Sequence, residues 1–295
     1  MKNYAIVADS TCDLTLEIRE KYDIDYIKMG YVIDDVTYPA SLDWESHSAH
    51  DFYELMRGGK YVRTVQIARE DTIAVFKKHL DLGEDIIYIS CSSALSGSYN
   101  FGSLIARELR EEYPKSNIVC VDSLISSLGQ GFLAIKAAEM RGEGASLDET
   151  VAWLLDNRLR VNQYGTVESL EYLRRVGRVK ASSAFFGNLF GVKPIILSDV
   201  KGQNFAFKKV KGAANARGEI ASLIAESAED IEASCLYISH ADALPAAEAL
   251  RDKILAIAPF KEVIINHIAP IVGASVGPGT VIAFCFGATV TVEGN

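Results

Sequence analysis

The chain has 295 residues, of which 49% are apolar, and a formal net charge of -9. This length predicts about two domains, and the apolar fraction is enough for a buried core in each. The negative charge, with Lys and Arg scattered along the chain, excludes nucleic acid and anionic membranes as expected partners.

The cysteine count and the apolar runs predict a cytoplasmic location. The five cysteines form an odd set without C-x-x-C spacing, so we expect reduced, mostly buried thiols. The start of the chain turns acidic at Asp9, too early for a signal peptide, and no uninterrupted apolar run is long enough to span a bilayer.

The first half of the chain alternates predicted strands with predicted helices. An acidic loop at 9–13 follows the first strand, and a hairpin over 24–40 turns at Asp34 and Asp35. The predicted strands are 4–8, 85–90 and 117–121, with an extended segment at 61–65, and the predicted helices are 14–22, 49–56, 70–80, one ending near 112, and 128–140. This alternation predicts a parallel sheet covered on both faces.

A change of domain is expected near residue 160, after a helix at 147–158, which gives domains 1–160 and 161–295. The second half is predicted to hold helices at 169–175, 181–190, 213–228 and 244–257, and strands at 193–197, 205–210, 235–239, 262–267 and 280–286. The fold class is therefore α/β in two domains, with a parallel sheet in the N-terminal domain and a mixed sheet in the C-terminal domain.

Three loops rich in hydroxyl groups, glycine or charge adjoin predicted strands, at 9–13, 90–98 and 273–279. Because ligands bind beyond the carboxyl ends of parallel strands, these loops are expected to form one shared site. The loop at 90–98 opens a helix, whose free N–H groups favour a phosphate or a carboxylate. The alternative is that its serines only cap the helix and line a turn.

Other kinds of site receive less support. None of the five histidines has a nucleophile–base setting, and G-x-S-x-G, P-loop and G-x-G-x-x-G motifs are missing. A solvated helix face explains the spacing of His47 and His50 better than a metal does. Adjacent acids disfavour Cys12 as a reactive thiol.

The basic cluster of Arg174, Arg175 and Arg178 lies at the end of a predicted helix. Such a cluster usually stabilises the helix C-terminus on a solvated surface. The alternative is a docking patch for an acidic or phosphate-bearing partner.

Taken in order, the motifs of this chain resemble those of the DegV family. They are D-S-T-C-D-L at 9–14, T-V-Q at 64–66, S-S-A-L-S-G-S-Y at 92–99, V-C-V-D-S at 119–123, L-E-Y-L-R at 170–174, G-R-V at 177–179, V-K-P-I at 192–195 and G-A-S-V-G-P-G at 273–279. The resemblance covers nearly the whole chain. It departs from the family pattern at Val65, where the family has serine, and at Ser275, where the family has histidine.

The resemblance implies a lipid-binding protein without catalytic residues or a cofactor. It implies one buried long-chain fatty acid, whose carboxylate lies near the domain junction beside Thr64, Ser92, Ser93 and the position of Ser275. It also implies that some members present the acid to a separate ATP-dependent fatty acid kinase and carry the acyl phosphate away. Residues Arg174 and Arg178 match the region thought to contact that kinase.

Three functional hypotheses follow from the sequence. The first is a fatty-acid-binding module in which Ser275 alters the head-group geometry, because serine is shorter than histidine and cannot carry its charge. The second is an acyl or phosphoryl transferase that uses the loop of Ser92 and Ser93 as an oxyanion or phosphate site. The third is a scaffold that has lost its ligand.

Overall fold

The computed structural model describes residues 3–181, 185 and 191–294, and within them ten α-helices and thirteen β-strands. The strands are β1 Tyr4–Asp9, β2 Ile24–Ile27, β3 Met29–Ile33, β4 Val36–Ala40, β5 Arg63–Val65, β6 Asp85–Ser90, β7 Ile118–Asp122, β8 Val161–Thr166, β9 Val192–Ser198, β10 Asn204–Lys211, β11 Cys235–His240, β12 Glu262–His267 and β13 Val281–Phe286. The helices are α1 Leu16–Tyr22, α2 Ala49–Arg57, α3 Arg69–Leu80, α4 Ser98–Glu112, α5 Leu128–Gly142, α6 Leu147–Asn157, α7 Glu171–Arg175, α8 Ala213–Ser227, α9 Leu244–Leu255 and α10 Pro270–Val276.

The first sheet is parallel, in the order β2-β1-β6-β7. Every residue of β1 and β6 is buried, as expected for strands covered on both faces. The predicted parallel sheet is therefore confirmed. One detail of the prediction was wrong, because β2 pairs with β1 in this sheet and does not extend the predicted hairpin.

The predicted hairpin is confirmed over β3 and β4, which are antiparallel. Asp34 and Asp35 both have positive φ angles, 48° and 62°, which suit a two-residue turn that follows the twist of the strands. Strand β5 pairs with the other edge of β3 and completes a three-stranded sheet.

The second sheet is mixed, in the order β10-β9-β8-β13-β11-β12, and only β11 and β12 run parallel. The central strand β8 was missed by the sequence analysis, because its polar residues and Gly165 interrupt the apolar pattern. The stretch 273–279 was expected to be a loop, but α10 continues to Val276. The helix expected at 181–190 lies largely outside the described residues.

Helix α5 packs between the two sheets and contacts β1 on one side and β11 on the other. Two glycines permit this close packing. A Cβ atom at Gly129 would lie 2.9 Å from Phe284 Cδ1 on β13, and one at Gly131 would lie 2.6 Å from the carbonyl oxygen of Cys12. The larger hydrophobic core therefore joins both sheets, whereas a second core fills the space between the second sheet and helices α8 and α9. No helix in the described ranges is both long enough and apolar enough to cross a membrane.

Candidate functional site

A cavity of about 240 Å³ lies against the face of the second sheet that packs on the first half of the chain. Its walls come from strands β3, β5, β8, β9, β10 and β13, from helices α7 and α10, and from the loops after β1, β6 and β7. The lining residues are Thr11, Met29, Thr64, Gln66, Cys91, Leu95, Ser96, Gly97, Ser126, Gln163, Gly165, Thr166, Val167, Leu173, Arg178, Ile196, Asn204, Ile271, Val272, Ser275, Val276, Thr280 and Ile282.

The exposure of the lining residues distinguishes a mouth from an interior. The mouth contains Gln66 and Gly97, which are exposed, and Thr64, Ser96 and Ser275, which are half-buried. The interior is buried and mainly apolar, with aliphatic side chains on the sheet facing those of α10. A mainly apolar interior with a polar mouth suits a ligand that has one polar end.

The start of α4 gives the mouth a preference for anions. Its N-cap residue, Gly97, has no side chain to accept a hydrogen bond from the first turn. The Ser96 hydroxyl accepts from the Ser98 amide at 3.2 Å, and the remaining N–H groups of the first turn lack acceptors within the helix. This arrangement offers donors and a positive dipole end to a carboxylate.

Arg178 is the one charged residue among the described residues that line the cavity. Its Nε donates to the carbonyl oxygen of Leu95 at 3.0 Å, and its Nη1 donates to that of Val176. These contacts hold the guanidinium group against the loop that precedes α4. The electrostatics of the mouth therefore favour a negative head group.

The residues predicted around the carboxylate separate into two groups. Thr64, on β5, and Ser275, on α10, both line the cavity. Ser92 is buried and is not a lining residue; its hydroxyl donates to the carbonyl oxygen of Gly202 at 2.9 Å. Ser93 is exposed and outside the lining, and its amide donates to Asp122 at 3.0 Å. Both serines thus hold the loop in place, and the cavity lining does not include them.

The two predicted partner-binding arginines also differ in position. Arg174 is exposed and forms a bidentate ion pair with Glu171, through two contacts of 2.8 Å. Arg178 reaches the mouth, which the sequence analysis did not predict. Val65, at the other departure from the family pattern, is 44% exposed and does not line the cavity.

The interior includes polar residues that the sequence analysis missed, Ser126, Gln163 and Asn204. Gln163 was overlooked because β8 was not predicted, and Asn204 because it lies at the start of a strand. A signal for Ser126 was available, since it lies three residues after the V-C-V-D-S motif.

Nucleophilic chemistry has little support in this cavity. Burial raises the pKa of the Cys91 thiol well above its ordinary value, so this lining residue stays protonated. Burial also raises the pKa of the Cys12 thiol. The sequence predicted an unreactive Cys12 from the acidic residues next to it. No histidine is found among the described lining residues to act as a base.

One group of possible metal ligands, His50, Glu54 and Asp242, lies on the surface away from this cavity. Arg57 already occupies it, because its Nη1 lies 2.7 Å from Glu54 and 2.5 Å from Asp242. The guanidinium neutralises the two carboxylates that a cation would need.

A buried carboxylate, Asp13, ties the two halves of the chain together beside the cavity. Its side chain accepts hydrogen bonds from the Ser127 hydroxyl and, at 2.8 Å, from the Ala269 amide at the start of α10. Its main-chain oxygen accepts from Asn266 at 3.1 Å. Burial raises the pKa of Asp13 to about 7.

Comparison with known proteins identifies the family. A model described as "Uncharacterised protein, DegV family" matches residues 3–287. A DegV domain-containing protein of Clostridium perfringens is 33% identical over 290 residues, covering 98% of this chain and 99% of the relative. The chain therefore belongs to the DegV family.

Two solved structures share the fold over nearly the whole chain. One, titled "Fatty Acid Binding of a DegV family Protein from Thermus thermophilus", has a TM-score of 0.88 at 27% identity and covers 97% of this chain and 100% of the other. The other, described as DegV, a fatty acid binding protein from Bacillus subtilis, has a TM-score of 0.82 at 28% identity with coverage of 97% and 100%. The resemblance proposed from the motifs and the two-part α/β fold are thus confirmed.

Proposed function

We propose that this DegV-family protein binds a long-chain fatty acid, with the acyl tail in the cavity and the carboxylate at its mouth. The observation that carries the proposal is the mainly apolar cavity whose mouth combines Arg178 with the open N-terminus of α4. Thr64, Ser96 and Ser275 would supply hydroxyl donors to the head group. Ser92 and Ser93 would act indirectly, by fixing the loop that positions Ser96.

The similar proteins of Thermus thermophilus and Bacillus subtilis support this proposal, because both are described as binding fatty acids. The energetics support it as well. Each buried methylene contributes about 0.8 kcal/mol, so a long tail outweighs a few charge-assisted hydrogen bonds of about 1.5–3 kcal/mol each. Binding therefore tolerates serine at position 275, whereas the exact position of the carboxylate would change.

The test is to identify the bound molecule and to measure its affinity. Protein purified under native conditions is expected to release one equivalent of a long-chain acid on organic extraction. Delipidated protein is expected to bind such acids more tightly than the alcohols of the same length, because the mouth favours an anion. Protein that releases no acid and shows no thermal shift with acids of any length would refute the proposal.

We further propose that the protein is a non-catalytic subunit, which presents its acid to a separate ATP-dependent fatty acid kinase in the cytoplasm. The exposed Arg174 lies on α7, the helix that contributes Leu173 to the cavity wall, so a partner docked there would be close to the ligand. The five free cysteines fit a reducing compartment.

This second proposal is tested by adding such a kinase and ATP, and following acyl phosphate formation. The protein alone should not turn over. Arg174→Glu should slow the reaction at least tenfold without changing acid binding, whereas the matched variant Arg251→Glu, on the distant helix α9, should leave the rate unchanged. Turnover by the protein alone would instead support the transferase hypothesis.

A further inference from the structure

The interior of the cavity contains a polar site that an unsubstituted acyl tail cannot satisfy. On the inner face of the second sheet, Gly165 and Ala206 both pair with Ile196 and form an apolar row. Two residues further along the strands, the same face carries Gln163 and Asn204. The two side chains are 7% and 8% exposed and both line the cavity.

The direction of the hydrogen bonds in this row is determined by a main-chain carbonyl group. Asn204 Nδ2 donates to the carbonyl oxygen of Arg178 at 3.3 Å, and this oxygen can only accept. The Oδ1 atom of Asn204 therefore faces Gln163, whose Nε2 donates to it at 3.0 Å. Consequently Gln163 Oε1 is left as an acceptor without a partner among the described residues.

Ser126 supplies a second unused group. This residue is 8% exposed and lines the cavity, and its hydroxyl makes no hydrogen bond to any other residue in the described ranges. Its segment lies against the same sheet, because the Ser198 hydroxyl donates to the carbonyl oxygen of Leu124 at 3.5 Å, and Ser198 pairs with Asn204. Polar side chains of residues this deeply buried normally have partners, so these two groups are available to a molecule in the cavity.

We propose that the cavity is built for a hydroxylated fatty acid, whose hydroxyl donates to Gln163 Oε1 and accepts from the Ser126 hydroxyl. This inference rests on the proposed function and adds the class of acid. A keto group would not serve, because it cannot donate to Gln163. A site made to bind a hydroxyl group disfavours the analogue without one, since its buried polar groups are then left unpaired.

The experiment compares stearic acid, a set of hydroxystearic acids that differ in the hydroxyl position, and the corresponding ketostearic acids. Each competes with a fluorescent acyl probe for delipidated wild-type protein. One hydroxyl position, or two adjacent ones, should bind about fivefold to tenfold more tightly than stearic acid, whereas the keto acid at the same position should not.

Two variants test whether Ser126 and Gln163 cause the preference for a hydroxy acid, and a third serves as their control. Ser126→Ala removes no described hydrogen bond and should fold normally; it should lower the preference for the hydroxy acid to about twofold or less. Gln163→Met should have the same effect. Ile196→Val, in the apolar row, should weaken hydroxylated and plain acids equally, and thermal unfolding should establish that all three variants fold.

The outcomes separate the two proposals. If stearic acid binds as tightly as every hydroxy acid, a buried water serves the polar groups and the hydroxy-acid inference is overturned, while fatty acid binding stands. A preference for the keto acid, or one that Ser126→Ala leaves intact, also overturns the inference. If no acid of any kind binds, the proposed function itself is wrong.

Discussion

Replacing Gly165 by larger residues should close the cavity in proportion to the volume added. This residue lies on the floor of the cavity, in the middle of the sheet. A Cβ atom there would be 3.1 Å from Ile282 Cγ1 and 3.2 Å from the Val281 carbonyl oxygen, so neighbours must move by only a few tenths of an ångström. The side chains of valine and leucine extend further into the cavity, and thermal unfolding of each variant measures what the shift of these neighbours costs.

The expected loss follows from the space that each side chain takes from the acyl tail. Leucine adds four carbon atoms, and displacing a similar number of methylenes costs about 3 kcal/mol at about 0.8 kcal/mol each. Gly165→Leu should therefore weaken the binding of a long-chain acid roughly 100-fold, and Gly165→Ala about fourfold. Titration calorimetry with delipidated protein measures both, and the variants should favour shorter acids.

Two further variants keep this experiment conclusive. Gly218→Leu is the matched control, because a Cβ atom at this position on α8 meets no atom within 4 Å. Val272→Phe, on α10, intrudes from the opposite wall and replaces Gly165→Leu if that protein does not fold. If both cavity variants fold, and if each binds long acids as tightly as the wild type, then the tail does not occupy this cavity.

Three other substitutions address the head group and the joint between the two halves of the chain. Arg178→Met should weaken a fatty acid about tenfold and the matching alcohol hardly at all, because only the acid loses an ion pair, and equal losses would contradict the assigned head-group position. Ser275→His should raise acid affinity more at pH 6 than at pH 8, since the imidazole is charged only at the lower pH; displacement titrations at both values measure this, and a pH-independent effect would contradict it. Burial raises the pKa of Asp13 to about 7, so this group stabilises the folded state increasingly as the pH falls from about 7 to 4. Burial lowers the pKa of His240 to about 4, so this group destabilises the folded state over a similar range of falling pH. Asp13→Asn should therefore make the unfolding free energy, measured with urea, fall more steeply than that of the wild type between pH 7 and pH 5, and parallel curves would show that Asp13 is not the compensating group.

Much of the fold could be predicted because its signals are local. The apolar runs of β1 and β6 are continuous, as in any strand buried on both faces, and the aspartates between β3 and β4 favour a tight turn. Strand β8 was missed for the opposite reason. Its polar residues are buried by packing against distant parts of the chain, which a window of neighbouring residues does not reveal.

In the candidate site, too, local sequence signals could be predicted and contacts between distant parts of the chain could not. The Ser/Gly loop before α4 was predicted as an anion site from its own residues, since free N–H groups at the start of a helix favour an anion. The orientation of each serine was not predictable. Ser92 lies beside Gly202, where the glycine leaves room for its hydroxyl, and this contact joins residues 110 positions apart.

The sequence by itself therefore determined the family and the alternating α/β pattern, because motifs and periodicity are written into neighbouring residues, and it predicted an anion-favouring loop. Only the tertiary structure decided which side chains line the cavity. It brought Arg178 to the mouth and placed Ser126 and Gln163 in the lining of one cavity, because both positions depend on how the second sheet packs against the loops of the first.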